Sequence, residues 1–304
     1  MAAVAIIINT EGMESNFNAI RPLLHNRLLN FAMASTPYIS GLLYPQAKAA
    51  RARLHLNHIE AYSAKFRSGS PYTIAQYDYP ERGIRMMRIT LNPLNLMLPI
   101  AIGECAHNLR SSLDHLAWQL GLLSGRTPSR SSAFPIHSSD SPRDRERFMR
   151  ATLDIPCEAV EIIKSLQPHL RGKSMKSDPL WQLNKLCNLD KHVTVGSSHT
   201  LIQFKVLREG VTWRSLEDSQ ELEIFTPIDD DNTEPRFELH PPELIFGKPI
   251  DAPGADFWIT ERQLAAIHSY VSNDVLPRFG PFFPNCPTLA DVTREDPSQN
   301  SPLQ

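Results

Sequence analysis

The chain has 304 residues, 41% hydrophobic and 21% charged, with a formal net charge of −2; this is the composition of a globular protein long enough for one large domain or two small ones. Its 25 prolines are about 8% of the chain, against a usual share of about 5%, and they leave Pro-free windows at 46–70, 100–127, 180–226 and 254–276. Proline breaks helices and is kept out of central strands, so this spacing excludes a coiled coil, a repeat solenoid and a long uninterrupted bundle, and only 13 glycines argue against a Gly-rich nucleotide-binding fold.

Residues 1–45 mix short apolar runs with Asn, Pro and Ser and read as a poorly structured N-terminal extension. Their most apolar run, Ala2 to Ile8, has seven residues, far short of the roughly 20 needed to span a bilayer. It lacks the basic flank of a secretory signal. A helix is predicted over 46–67, ended by Ser68-Gly69-Ser70-Pro71. Residues 72–79 and 84–91 are rich in β-formers and flank Pro80-Glu81-Arg82-Gly83, the pattern of a hairpin. Leu98, Ile102, Leu109, Leu113, Leu116 and Leu120 then recur at helical spacing through 95–123.

Loop follows to Ser141, broken by Phe134-Pro135-Ile136, with short helices expected near 143–150 and 156–166 and a longer one over 180–192. From 200 to 247 the pattern changes to period two at Leu201–Leu207, Leu222–Phe225, Arg236–Leu239 and Glu243–Phe246, which predicts a small antiparallel sheet. Thr260 with Gln263 forms a capping box that opens a last helix over 260–276. The sequence therefore predicts an α+β fold: a mainly helical bundle with an inserted β-hairpin and a small C-terminal antiparallel sheet. It forms one domain over 46–280, with a helical core at 46–199 and a β-rich part at 200–247. A disordered tail is expected over 281–304.

Charge is uneven: residues 1–200 carry a net +8 and residues 201–304 a net −10. A basic front suits a polyanionic partner. The four cysteines show no C-x-x-C spacing, which fits a reducing cytoplasm rather than a disulfide framework. No cofactor, metal or DNA-binding motif is read from the sequence.

Three polar clusters sit on apolar helices. The densest is His107-Asn108-Leu-Arg110-Ser111-Ser112-Leu-Asp114-His115. At helical spacing Asn108, Ser111, Ser112 and His115 share one face, and His107, Arg110, Ser111 and Asp114 an adjacent one. Such groups must be satisfied, because burying them unpaired is expensive. One reading is structural: Arg110 and Asp114 are an i,i+4 pair. The second cluster is Asn188-Leu189-Asp190-Lys191-His192, read either as a helix C-terminus with cations against the dipole or as a carboxylate orienting an imidazole for acid–base work. The third is His55 with His58, at a spacing that can share a metal or lie on a solvated face.

The string Ile102-Gly-Glu-Cys-Ala-His107-Asn108-Leu-Arg110-Ser-Ser-Leu-Asp114-His115-Leu-Ala-Trp118 resembles the HNLRSALDHL signature of a widespread, uncharacterised bacterial protein family. Further pieces match in order: Arg51-Ala52-x-x-His55, Phe134-Pro135-Ile136, Leu166-Gln167-Pro168-His169, and Pro179-Leu180-Trp181 through Asn188-Leu189-Asp190-Lys191-His192. More remotely, Arg110-x4-His115 resembles the R-x(4–6)-H mark of the HEPN superfamily of small helical domains. That resemblance implies a metal-independent RNase of a defence or toxin type system, acting as a homodimer on RNA. Arg110 would stabilise the phosphorane charge and His115 would move a proton. Asn108, Asp114, Asp190 and His192 would complete the catalytic set, and His55, His107 and Lys191 would bind substrate.

The alternative is a non-catalytic binding module in which these clusters form a buried helix–helix network. A third reading is a bundle metalloenzyme using His55, His115 and His192. The expected location is the cytoplasm, away from membranes.

Overall fold

The structure, a computed structural model, describes residues 39–125, 127–129, 132–192, 197–201, 203–216, 221–228, 235–240, 243–247 and 257–293, without the side chains of 190–192, 197–199 and 216. It is an α+β fold, as expected.

Helix α1 (Leu43–Ser68) begins three residues before the expected start. Its Pro45 sits in the first turn, where a missing N–H removes no helical bond. Ala49, Ala52, Leu56, Ile59 and Ser63 form its buried stripe, at the three- and four-residue steps that keep side chains on one face. Helix α2 (Met97–Leu122) carries the predicted apolar stripe, buried from Leu98 to Leu120. It packs along α1. Ser112 meets Pro45 while His55 meets Glu104, so the two helices run antiparallel. Helices α3 (Pro142–Ala151), α4 (Cys157–Ser165) and α5 (Pro179–His192) follow close to their expected positions. A 3₁₀ stretch over Pro168–Ser177, not expected from the sequence, links the last two. The core they enclose includes Phe134, Leu166, Leu180 and Leu183, all sealed from solvent; each such side chain contributes about 1.5–3 kcal/mol by leaving water.

Strands β1 (Tyr72–Tyr79) and β2 (Ile84–Leu91) form the predicted hairpin, in unbroken register from Tyr72↔Leu91 to Tyr79↔Ile84. A 3₁₀ turn joins them and ends at Gly83 with φ 62°. The later strands are β3 (Ser197–Leu201), β4 (Phe204–Val206), β5 (Thr212–Leu216), β6 (Glu221–Pro227), β7 (Phe237–Leu239), β8 (Glu243–Gly247) and β9 (Trp258–Thr260). They do not form one C-terminal sheet beside an isolated hairpin. The antiparallel sheets are β1-β2-β6-β5, β3-β8-β9 and β4-β7. An isolated hairpin is marginal in water, and β2, which buries Met86 and Ile89, gains its second neighbour by pairing with β6.

Helix α6 (Glu261–Ser269) opens on the predicted capping box. It ends sooner than expected and continues as a π-helical turn over Tyr270–Val275 and a 3₁₀ stretch over Leu276–Phe282. Residues 283–293 belong to the folded body rather than to the expected disordered tail. They include helix α7 (Leu289–Thr293), and Cys286 lies against Gly41, which holds φ +58° and where an added Cβ would come within 2.6 Å of the Cys286 Cβ. Among the described residues no helix is long and apolar enough to cross a membrane.

Candidate functional site

The polar cluster of α2 does not converge on one cleft. At about 100° per residue, Arg110 and His115 lie some 140° apart around the helix, and their partners differ accordingly.

Arg110 and Asp114 face the loop that carries Phe134. The Arg110 guanidinium donates to the Phe134 carbonyl at 2.6 Å and to the Asp114 carboxylate at 3.3 and 2.9 Å. The Phe134 N–H donates to the same carboxylate at 3.0 Å. Both ends of one residue's backbone are thus held by a pair one helical turn apart. Gln167, 1% exposed, continues the job: its amide donates to the carbonyls of Pro135 and Ile163 at 2.9 and 3.0 Å, and its oxygen accepts from His137 N–H at 3.0 Å. The loop enters the core without ladder partners, and these side chains supply the bonds that buried backbone groups require.

The opposite flank of α2 faces the start of α1. Ser112 donates to the Pro45 carbonyl at 2.7 Å, and Gln119 accepts from Ser40 N–H at 2.7 Å. Between them His115 lies beside Tyr44, ring centroids 6.2 Å apart. Burial lowers the His115 pKa below the ordinary imidazole value, and Lys48 adds to this while Asp114 opposes it. Gln119 and Gln167 were not singled out by sequence reasoning. Their signals were the i,i+4 step from His115 and a place within the Leu166-Gln167-Pro168 string.

Near the N-terminal end of α2, His55 Nδ1 lies 3.1 Å from a Glu104 carboxylate oxygen. Burial lowers the His55 pKa, with Glu104 pulling it up and Arg51 and His58 down. Asn108 turns back to donate to the Glu104 carbonyl at 2.8 Å, and His107 is exposed. Glu104 and His115 are eleven residues apart, about 16 Å along a helix, so His55 and His115 lie at opposite ends of the seam between α1 and α2. Asp190, Lys191 and His192 end α5, and their side chains lie outside the described residues. Among the described residues no group of three or more His, Cys, Asp or Glu could hold a metal ion.

Sequence reasoning also missed a histidine pair beside the loop. His137 Nδ1 is 3.7 Å from the Asp144 carboxylate, and its Nε2 is buried without a hydrogen-bond partner among the described residues. His169 Nδ1 lies 3.4 Å from the His137 carbonyl. Burial lowers the His137 pKa, opposed by Asp144 and reinforced by Arg147, His169 and Arg110. Asp144, at the start of α3, also accepts from Ser139 and is held below the usual carboxylate range chiefly by that bond. The signal was His137 directly after the Phe-Pro-Ile string.

The chemistry of this arrangement is that of a tie rather than a cleft. Arg110 is committed to a carboxylate and a carbonyl, and Asp114 to a guanidinium and an amide. His115 is an uncharged base at neutral pH with, among the described residues, no carboxylate hydrogen-bonded to orient it. No family model, curated protein or solved structure matches the chain.

Proposed function

We propose that this chain is a non-catalytic binding module whose helix polar residues hold its fold, and whose contact surface is the four-stranded sheet. The observation that carries this reading is the double hold on Phe134 by Arg110 and Asp114. A guanidinium whose Nε and Nη2 already serve a carboxylate and a loop carbonyl has most of its donors spent before any phosphodiester arrives. The sheet, by contrast, displays Tyr77 and Tyr79 to solvent on one face and Ile74 and Trp213 on the other, and neighbouring exposed large side chains such as the two tyrosines mark interaction sites.

The second reading is a cytoplasmic, metal-independent RNase of the HEPN type. What favours it is that His115 is uncharged near neutral pH, as a general base must be, and that the first 200 residues carry a net +8. In it Arg110 and His115 act on RNA from two protomers, with Asn108, Asp114, Asp190 and His192 around them and His55, His107 and Lys191 on the substrate.

One experiment separates the two. Purified wild type, Arg110→Ala and His115→Ala are incubated with RNA, and the melting temperature of each is recorded. The module reading expects no RNA cleavage by any of them and a melting temperature lowered by several degrees in Arg110→Ala. Cleavage by wild type that both variants lose, with melting temperatures unchanged, would overturn it in favour of the RNase.

A further inference from the structure

Among the described residues strand β1 is an edge of its sheet, and there it carries none of the devices that usually protect an edge. Such devices are shortness, lysine, proline, a bulge, or cover by another element. β1 has eight residues in continuous register with β2, with neither proline nor lysine among them. Every residue from Thr73 to Tyr79 is exposed, Ile74 at 50%, Tyr77 at 43% and Tyr79 at 42%. Its one charge, Asp78, is neutralised within the chain by Arg85, whose guanidinium donates at 2.7 and 3.0 Å. The other edge, β5, has five residues, and its Trp213 is packed edge-on by Phe204.

We infer that β1 pairs with β1 of a second copy of this chain, antiparallel about a two-fold axis, making one continuous eight-stranded sheet. This deepens the binding-module reading by naming what the edge takes, and it fails separately from it. The occupant is argued from fit. A strand whose only charge is already paired offers no ionic feature for a charged partner to read, and it meets its own copy without like-charge repulsion.

The register follows from geometry. A two-fold axis perpendicular to the sheet keeps each face common to both copies, so opposed residues must share side-chain parity. The exposed stretch 73–79 has its midpoint at Gln76. Pairing about that residue sets Tyr77 opposite Ala75 of the second copy and Tyr79 opposite Thr73, large against small in four successive rows. Gln76 meets itself on the other face, and Ile74 meets the Asp78 that Arg85 already holds.

The test uses the full chain in a Cys157→Ser background, which removes the exposed thiol. Analytical ultracentrifugation at micromolar concentration should give the mass of two chains. Tyr77→Lys should give the mass of one chain with an unchanged far-UV circular dichroism spectrum. Gln76→Cys should form an intermolecular disulfide on mild oxidation, because directly opposed strand residues have Cα atoms about 4.5–5.5 Å apart, within disulfide reach; Glu81→Cys, in the turn, should not. A single-chain mass for the parent overturns the proposal. So does a dimer that Tyr77→Lys leaves intact and Gln76→Cys does not cross-link. Either result, with the RNA assay still negative and Arg110→Ala still destabilised, leaves the module reading standing without this partner.

Discussion

The helical body and the four-stranded sheet use the same kinds of residue in opposite ways. In the body, Arg110, Asp114, Gln167, Ser112 and Gln119 each bond backbone groups far away in sequence. In the sheet, Arg88 and Arg214 flank the buried Glu223 at 2.7 and 2.5 Å, while their guanidiniums also stack over Tyr77 and Phe225. Burial alone would raise the Glu223 carboxyl, but hydrogen bonds from Arg214 and Arg88 outweigh it and hold it below its ordinary value. The body's polar groups are therefore structural members, and removing one leaves buried backbone unsatisfied. The sheet's polar groups serve one another along a solvent-facing row.

The contrast can be broken most forcefully at Gln167. Gln167→Ala should strand the Pro135 carbonyl and the His137 N–H, at a cost of roughly 2–6 kcal/mol given about 1–3 kcal/mol per unsatisfied buried group. The melting temperature should fall by about 4–24 °C, on the scale of about 2–4 °C per kcal/mol for domains near this size; calorimetry measures it. A shift under about 2 °C would mean that the loop is held by its packing alone.

A smaller effect should come from pH. Burial lowers the pKa values of His55, His115, His137 and His268. The unfolded chain therefore takes up protons first as pH falls. The stability these groups lend is complete above about pH 6.5, the unfolded value, and is lost as pH falls from there through the folded values. The melting temperature should decline across that window, and His115→Ala should make the decline shallower. A flat profile would place these imidazoles in water.

The smallest effect should come from the sheet. Glu223→Gln should loosen β2, β5 and β6 while leaving the body intact, because Glu223 is buried but Arg88 and Arg214 both reach solvent, so the guanidiniums it releases are hydrated rather than stranded as buried charges. Hydrogen exchange should quicken in those strands and stay unchanged in α2. Equal acceleration in both would show that the two regions unfold as one unit.

The division also governs what is legible in the sequence. Elements set by local signals are readable: the α2 stripe from Leu98 to Leu120, the hairpin around Pro80–Gly83, and the Thr260–Gln263 capping box. The Arg110–Asp114 pair is readable as an i,i+4 step. Its target is not, because Phe134 stands twenty or more residues away and joins only through tertiary folding. The β2–β6 pairing hides for the same reason, with 130 or more residues between partners. Strand β9 has three residues, too few to show a period. Candidate residues such as Arg110, Asp114 and His55 were conspicuous because they are polar on apolar helices, a pattern that does not distinguish a tie from a catalyst.

The π-helical turn at Tyr270–Val275 sits between α6, which buries Leu264 and Ile267, and the 3₁₀ stretch that buries Leu276 and Phe279. A π turn holds one more residue than an α turn, so it acts as a phase shifter between two apolar faces that would otherwise be out of step. Deleting one residue from it would restore an ordinary helix with the two faces still in step, whereas forcing the present residues into an α turn would rotate everything beyond by about 100°, swinging Phe279 off the core. In this segment the count of residues matters more than their identity.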